Sequence, residues 1–326
     1  MKTQYIEDLE EGTEINSDFA VTSQTFPAKY RNKSGMWFSL EVSDKTGRIP
    51  VKYWGGPDED AVKTLFETFT EGDIITITGK AQFDSYQNAL VISIDVGNGN
   101  GLQKSNTFDV TDFLPVTNKN INDMVSQMKE IIEEIRDSNV KRLAKSFFDD
   151  SSFMEKYSKI PAASTYHHSY VGGLIEHVLN MIELSKVVAK QYEENLDLDL
   201  MIAGCIFHDI GKIEELEMKS SITYSVTGNL LGHISIGAQM VQTKIDSLEE
   251  FPEILKNKII HLILSHHGSL EFGSPVEPMF PEAIALNRID ECDSKVKRAI
   301  QLKQESVSNG NDEFVYIRNF GKLYLK

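Results

Sequence analysis

The sequence predicts two domains of different classes, a small β-barrel followed by an all-α helical bundle. Residues 1–98 alternate short β-like runs with turn residues, as small closed barrels do. From residue 121 to residue 326, apolar residues recur at spacings of three and four, the pattern of helices with one buried face. The stretch between them, 99–120, begins in a segment rich in glycine, asparagine and serine and is interpreted as a linker.

The first domain is predicted to be an OB-fold. Its β-like runs cover 36–44, 48–55, 73–83 and 88–96. The first two are joined by a hairpin at Asp44-Lys45-Thr46-Gly47, whose turn-prone residues end in glycine. One short helix is expected between strands, at 58–71. About five strands with one inserted helix suit a small closed barrel, for which the OB-fold is the leading candidate.

Several segments of helical period and length predict the bundle. They begin near residues 121, 172, 198, 233, 254 and 281. No apolar stretch approaches the roughly 20 residues that a membrane span requires, so no membrane partner is predicted. The start of the chain is acidic and polar, unlike a signal peptide. Cys205 and Cys292 lie in helical patterns and are interpreted as unpaired thiols of a cytoplasmic protein.

The overall charge limits how nucleic acid could be bound. A formal net charge of −16 argues against a broad electrostatic clamp on a phosphate backbone. It does not exclude nucleic acid, because local grooves and bound metal ions can reverse the field where it matters. Any such binding is therefore expected to be confined to a small surface and weakened by salt.

The histidines form the main functional pattern. All eight lie between residues 167 and 267, and acidic residues accompany them at intervals of about one helix plus a loop. This spacing lets separate helices of a bundle contribute ligands to one centre. The candidate metal ligands are His177, His208, Asp209, His233, His266, His267 and Asp290.

Imidazole and carboxylate ligands suit manganese, iron, cobalt or zinc. The candidate set is larger than one ion usually takes from protein, so two ions are predicted, with Asp209 as the bridging ligand. Two ions about 3.5–4 Å apart would polarise a phosphoryl oxygen and activate a water for in-line attack.

Not every histidine is interpreted as a ligand. His261 lies on an apolar helix face, where a hydrogen-bonded core residue is commoner than a ligand. Asp209 differs, because it ends a strongly apolar helix in which an unpaired charge would be costly. Asp290 would likewise be a costly unpaired charge within the apolar segment IALNRID, and a bound metal would offset the charge of both carboxylates.

His177, His208-Asp209 and Asp290 match the H…HD…D pattern, so the chain resembles the HD superfamily of metal-dependent phosphohydrolases. The resemblance implies that these four residues hold a divalent ion within a helical bundle. His233 and His266-His267 resemble the added ligands of binuclear members such as the HD-GYP phosphodiesterases. The GYP signature is missing, however, and Gly173 stands where some of those proteins carry a third-metal carboxylate.

The order of motifs along the chain is more specific. A segment LEVSDKTGRIPVKYW in the OB-like region precedes HHSYVGGLIEHVLNM, HDIGK and LSHHG, and this order resembles the YhaM-type 3′–5′ exoribonucleases over nearly the whole chain. The resemblance implies an N-terminal OB-fold followed by an HD-domain bundle. It also implies manganese-type metal dependence, single-stranded RNA as substrate with single-stranded DNA as an alternative, release of mononucleotides, and a homo-oligomer.

Three further residues are candidates around the centre. Lys212 follows the His208-Asp209 pair and is a candidate phosphate contact and catalytic residue, with a solvated surface lysine as the alternative. His168, nine residues before His177, is a candidate phosphate donor or general acid. Asp293 shares a helix face with Asp290 and is expected to orient a ligand histidine.

The first domain mixes aromatic and basic residues in the manner of single-strand-binding surfaces. The candidates for nucleic-acid binding are Tyr30, Arg31, Lys33 and Tyr86, which lie near predicted loops. Trp37 and Trp54 fall on strands, where half of the side chains point into the barrel. Both therefore stay open as core or surface residues.

These observations predict a metal-dependent 3′–5′ exonuclease that hydrolyses single-stranded RNA to mononucleotides by metal-activated water. A first alternative is an HD-type phosphodiesterase or phosphatase acting on a small nucleotide, against which the OB domain counts. A second is a non-catalytic nucleic-acid-binding factor. The intact ligand set counts against it, because a structural metal rarely uses so many open ligands.

Overall fold

The computed structural model describes residues 2–95, 101–164, 168–193, 195–309, 313–317 and 321–325. The chain forms two compact units. The first comprises Met1–Pro115 and Met218–Ser221, and the second comprises Val116–Glu217 and Ile222–Lys326. The start of the predicted linker, residues 99 and 100, lies outside the described residues.

The first unit is a five-stranded barrel. Its strands are β1 (Glu14–Lys29), β2 (Met36–Asp44), β3 (Gly47–Trp54), β4 (Ile74–Asp84) and β5 (Ala89–Asp95). They are ordered β1-β2-β3-β5-β4, and antiparallel pairing of β1 with β4 closes the barrel. Strands β3 and β5 pair in parallel, and helix α1 (Glu59–Glu67) connects β3 to β4. The predicted OB-fold is confirmed by this topology.

The alternation of side chains builds the barrel core. Along β2, Phe38, Leu40 and Val42 are buried, whereas Trp37, just before Phe38, is half-buried on the other face. The ring of Tyr53, on β3, stacks on Phe38 at a centroid distance of 4.7 Å. A register shift of one residue would turn all of these apolar side chains outward, so burial fixes the pairing of β2 with β3.

The predicted linker contains structure. Strand β6 (Leu102–Lys104) pairs with the edge of β4, and the first unit continues to Pro115. The sequence did not reveal β6 because three residues are too few to establish a period of two. Its single buried residue, Leu102, joins the barrel core.

The second unit is built from nine helices among the residues described. They are α2 (Ile121–Glu134), α3 (Ser138–Phe148), α4 (Ser151–Lys159), α5 (Gly173–Gln191), α6 (Leu198–Phe207), α7 (Lys212–Glu215), α8 (Val226–Asp246), α9 (Glu253–Ser265) and α10 (Pro281–Asn309). Helix α6 lies at the centre, packed against α3, α5, α9 and α10. Every residue from 200 to 207 is buried, which explains why its sequence is apolar on all sides.

Side-chain caps set where the helices begin. The carboxylates of Asp137, Asp150 and Asp197 accept backbone N–H groups in the first turns of α3, α4 and α6. Ser225 caps α8 in the same way. Each cap satisfies an N–H group that has no partner within its helix.

The second unit is mainly helical, as the sequence predicted, but it also contains short strands. Two short hairpins accompany its helices, β7 (Leu216–Met218) with β8 (Ile222–Tyr224), and β9 (Phe314–Ile317) with β10 (Gly321–Tyr324). Met218 and the turn of the first hairpin are counted with the first unit. These strands of three or four residues are too short to interrupt a helical pattern visibly. Cys205 is buried and Cys292 exposed, and both are free thiols. Within the described residues, no helix combines the length and apolar character needed to cross a membrane.

A buried ion pair in the barrel gives a stability prediction. Lys2 Nζ lies 2.8 Å from Asp44 Oδ2, with the two side chains 2% and 0% exposed. Lys2→Met leaves the carboxylate without its cation and is expected to lower the free energy of unfolding by about 3 kcal/mol. Both tryptophans, Trp37 and Trp54, lie in this unit, so urea unfolding followed by tryptophan fluorescence reports on it directly.

Lys80→Met is the matched control for this prediction, because the pair of Lys80 with Glu14 is largely exposed. We expect it to cost less than about 1 kcal/mol. Equal losses in the two variants would contradict the role given to burial.

Candidate metal centre

Five parts of the bundle bring the predicted ligands together. These are His177 on α5, His208 and Asp209 in the turn between α6 and α7, His233 on α8, His266 and His267 at the end of α9, and Asp290 on α10. The imidazole rings form a continuous series in the order 177, 208, 266, 267 and 233. Neighbouring ring centroids are 4.3 to 5.4 Å apart.

The centre has two halves. In one, ligand atoms of His177, His208 and Asp290 lie within 4.8 Å of one another. In the other, the same is true of His233, His266 and His267. The sequence had predicted this division, and the assignment of each residue as a ligand stays a prediction.

Asp209 lies between the two halves. Its Oδ2 is 3.2 Å from His208 Nε2, whereas its Oδ1 is 3.5 Å from His233 Nε2 and 3.6 Å from His266 Nε2. One carboxylate oxygen therefore faces each half, which is the geometry that a bridging ligand needs.

Backbone carbonyls orient three of the rings. Nδ1 of His208 lies 2.9 Å from the carbonyl oxygen of Cys205. Nδ1 of His266 lies 2.7 Å from the carbonyl oxygen of Ile263, and Nδ1 of His267 lies 2.9 Å from that of Phe272. A carbonyl oxygen can only accept, so each Nδ1 carries the proton and donates. The lone pair of each ring is thereby left on Nε2, the atom that faces the centre.

Carboxylates orient the other two rings. Nδ1 of His177 lies 2.7 Å from Asp293 Oδ2, and Nδ1 of His233 lies 3.0 Å from Glu215 Oε1. Burial raises the pKa of both acids, but hydrogen bonds from histidines outweigh burial and keep each pKa below its usual value. Both carboxylates are therefore ionised acceptors, as carboxylates behind metal-binding histidines usually are.

Several buried acceptors in the centre lack hydrogen-bond partners among the described residues. They are Nε2 of His208, His233 and His266, together with Oδ1 of Asp209. Leaving buried polar atoms unsatisfied is costly, and these four converge on one place. Their nitrogen and oxygen donors suit a divalent ion such as manganese, iron, cobalt or zinc, so the residues fit the metal that their pattern implies.

The protonation states also suit a cation. Burial raises the pKa of Asp209, but the positive charge of Lys212 is the largest of the opposing effects, which together hold this pKa well below its usual range. Burial lowers the pKa of His266 and His267, which keeps both rings neutral at pH 7. His177 is the exception. Burial lowers its pKa, yet hydrogen bonds to Asp290 and Asp293 raise it to about 9, so a cation would displace a proton there.

Lys212 is part of the centre. Its Nζ lies 2.5 Å from Asp209 Oδ2, and the residue is buried. The alternative of a solvated surface lysine is therefore wrong. A fixed positive charge beside the carboxylate between the two halves is well placed to meet an anionic substrate group.

His168 contacts Asp293, the carboxylate that holds His177. It is fully buried, with Nε2 3.0 Å from Asp293 Oδ2 and Nδ1 2.8 Å from the hydroxyl of Tyr170. Burial lowers the pKa of His168, so the neutral ring donates from Nε2 to the carboxylate. The geometry favours a residue that orients Asp293 over one that meets phosphate.

Sequence reasoning missed the outer residues of this network. The buried carboxylate of Glu176 accepts hydrogen bonds from Thr117, Tyr170 and Lys297 at 2.6, 2.9 and 3.0 Å. The only signal for Glu176 in the sequence was its place directly before His177, a proposed ligand. Gly173 is explained by the same region, because a Cβ there would lie 2.0 Å from the carbonyl oxygen of His168.

His261 lies apart from the centre, as its interpretation as a core residue implied. Its Nε2 accepts the backbone N–H of Met279 at 3.1 Å, and its ring packs against Phe280.

An aromatic series lies on the surface of the barrel. Tyr30 stacks on Trp54 at 6.3 Å, and Trp54 contacts Trp37 at 5.7 Å between ring centroids. Lys33 Nζ lies 4.2 Å above the Tyr30 ring. Both tryptophans are half-buried, which resolves the open question of core against surface.

The two other predicted contacts lie on loops. Arg31 is exposed between β1 and β2, and Tyr86 is fully exposed in the turn between β4 and β5. In OB-folds these two loops, with the face of β2 and β3, form the ligand-binding surface.

Comparison with protein families matches both units. Residues 21–96 match the OB-fold nucleic acid binding domain, and residues 174–295 match the HD domain. A nucleic-acid-binding barrel joined to an HD bundle defines a hydrolytic enzyme of the metal-dependent phosphohydrolase class.

Comparison with curated proteins is more specific. The chain is 33% identical to the 3′-5′ exoribonuclease YhaM of Bacillus velezensis over 288 residues, which cover 88% of this chain and 87% of that protein. The chain belongs to the YhaM family.

Solved structures resemble parts of the chain. A replication protein A heterotrimer bound to ssDNA is 20% identical with a TM-score of 0.28, covering 38% of this chain and 29% of that one. RecG bound to a three-way DNA junction is 15% identical with a TM-score of 0.24, covering 78% of this chain and 42% of that one. Both TM-scores are below 0.5, so neither likeness bears on function.

The close approach of two backbones gives a prediction for the centre. A Cβ on Gly211 would lie 2.0 Å from the carbonyl oxygen of His233 and 2.7 Å from the nitrogen of Gly237. Gly211→Ala must push α8 away, and we expect a loss of about 1–3 kcal/mol in stability. We also expect the loss of Mn²⁺ from the half that contains His233. Thermal unfolding and metal content after dialysis measure the two effects.

Gly237→Ala is a graded control, since its Cβ would approach no atom closer than 3.2 Å. A Gly211→Ala variant as stable and as rich in metal as this control would refute the steric argument.

Proposed function

We propose that this chain is a metal-dependent 3′–5′ exonuclease that hydrolyses single-stranded RNA to mononucleotides with two Mn²⁺ ions. The observation that carries the proposal is the convergence of buried, unpartnered acceptor atoms on both sides of Asp209. Its relative from Bacillus velezensis is a 3′-5′ exoribonuclease, which supports the direction of cleavage and the choice of RNA over DNA.

The proposed ligands divide between the halves. His177, His208, Asp209 and Asp290 would hold one ion, and His233, His266 and His267, together with Asp209, would hold the other. Divalent ions at such a pair of sites polarise a phosphoryl oxygen and activate the attacking water. Manganese suits the mixture of imidazole and carboxylate, with iron, cobalt and zinc as the alternatives.

The remaining residues act on charge and orientation. Lys212 contributes a buried cation beside Asp209, where it stabilises negative charge on the scissile phosphate or on the leaving oxygen. Asp293 keeps Nε2 of His177 directed at the centre, and His168 holds Asp293 in turn. These contacts cost no rearrangement at the moment of reaction, which is the benefit of a preorganised site.

The barrel supplies the substrate preference. The half-buried rings of Tyr30, Trp54 and Trp37 offer stacking positions for unpaired bases, and Lys33 and Arg31 offer cations for the backbone. Bases in a duplex have no free face, so this surface selects single strands. A homo-oligomer and a cytoplasmic location stay predictions.

The first test of the proposal is a cleavage assay. Wild-type protein with Mn²⁺ is expected to shorten a 5′-labelled single-stranded RNA from its 3′ end into a ladder. Asp209→Asn removes the shared carboxylate and is expected to lower the rate by more than the roughly 10–100-fold typical of a residue behind a ligand. EDTA should abolish cleavage in the wild type.

Glu214→Gln is the matched control, since Glu214 is an exposed acid in the same segment. Cleavage of a small phosphodiester in place of RNA, with the same dependence on Asp209, would identify the small-nucleotide enzyme. RNA binding without any hydrolysis would identify the non-catalytic factor.

The second test concerns the aromatic series. Tyr30→Ala is expected to weaken binding of a fluorescent single-stranded oligonucleotide about tenfold, since one stacked base contributes roughly 1–3 kcal/mol. Anisotropy in EDTA measures this affinity without cleavage. Hydrolysis of a dinucleotide, which leaves no further bases for the barrel surface to stack, should keep its turnover number.

Phe83→Ala is the control, because Phe83 is an exposed aromatic of the same barrel that lies outside the aromatic series. If both variants bind the oligonucleotide like wild type, the strand does not use this surface.

A further inference from the structure

Helix α8 is broken next to a proposed ligand. Gly232 has φ of 70° and ψ of 151°, values outside the helical range, and His233 follows it directly. The segment after the break therefore begins as a new helix, whose first N–H groups have no partner within that segment. A break of this kind needs an acceptor from elsewhere in the fold.

Glu215 supplies that acceptor. A single oxygen, Oε1, accepts the backbone N–H of His233 at 2.8 Å and the ring Nδ1–H of the same residue at 3.0 Å. The carboxylate thus caps the new helical segment and orients the imidazole at the same time.

Glu215 is itself held firmly. Its side chain is 8% exposed, and its carbonyl oxygen accepts the N–H of Ser225 at 2.8 Å, where α8 begins. A Cβ on Gly228 would lie 2.3 Å from that same carbonyl oxygen, so the backbones of α7 and α8 touch here. The position of Glu215 is therefore set by the helices and not by His233.

We infer that Glu215 is a positioning residue that fixes His233 and so determines occupancy of the half formed by His233, His266 and His267. The inference rests on the proposed metal centre. It implies that a different carboxylate orients a ligand in each half, because Asp293 holds His177 in the other half. Loss of either carboxylate should affect one ion and spare the other.

Two substitutions separate geometry from charge. Glu215→Gln keeps a carbonyl oxygen at the accepting position, whereas Glu215→Ala removes both hydrogen bonds. Carboxylates behind metal-binding histidines change metal affinity by roughly 10–100-fold. We expect a loss near the upper end of that range for the alanine variant and a smaller loss for the glutamine variant.

Calorimetric titration of chelator-stripped, full-length protein with MnCl₂ tests the inference. The wild type should bind two ions, Glu215→Ala should bind one of them weakly, and Glu214→Ala should match the wild type. The identity of the half is checked in a His267→Ala background. There Glu215→Ala should leave the remaining ion unaffected, whereas Asp293→Ala should weaken it.

Each other outcome is decisive. If the wild type binds no Mn²⁺, the proposed function itself fails. If the wild type binds two ions and Glu215→Ala binds both with unchanged affinity, only the role of Glu215 fails. Equal weakening of both ions, with a lower melting temperature, would mean that Glu215 is merely structural and would overturn the inference.

Discussion

The bundle is organised around one buried charge, the carboxylate of Asp209. It lies at the end of the most apolar helix in the molecule, 3% exposed and surrounded by imidazole rings. Burial alone would favour the protonated acid, yet neighbouring cationic groups keep it ionised. The surrounding residues make sense as responses to that charge. Lys212 approaches one side, and two groups of ring nitrogens face the two oxygens.

Helix ends and a helix break make this arrangement possible. Consecutive residues on a regular helix point about 100° apart, so a straight helix would send one member of each pair away from the centre. His208-Asp209 and His266-His267 both fall where a helix stops, and His233 follows the break at Gly232. Irregular backbone therefore lets adjacent side chains serve the same site.

Sequence patterns predicted the parts of the molecule that depend on period and ordered spacing. The run 36–44 coincides with β2, and the proposed ligands meet because each follows the last by about one helix and one loop. Features that depend on contacts between residues distant in the chain could not be predicted from the sequence. Nothing in the sequence distinguishes Glu215 from its neighbour Glu214, since only packing against the break in α8 selects one of them. The contact of His168 with Asp293 was inaccessible for the same reason, because nearness along the chain does not show on which side of a ring a neighbour lies.

The unpartnered acceptors also link metal binding at the centre to the stability and lifetime of the folded protein. Four buried atoms that lack hydrogen-bond partners among the described residues are a folding cost that a bound cation removes. Since an unfolded chain offers no such site, a cation bound there at a free concentration of 100 times its dissociation constant would add about 2.7 kcal/mol to stability. Metal supply would then govern how long the bundle survives proteolysis, and scarcity would reduce the number of molecules as well as their turnover.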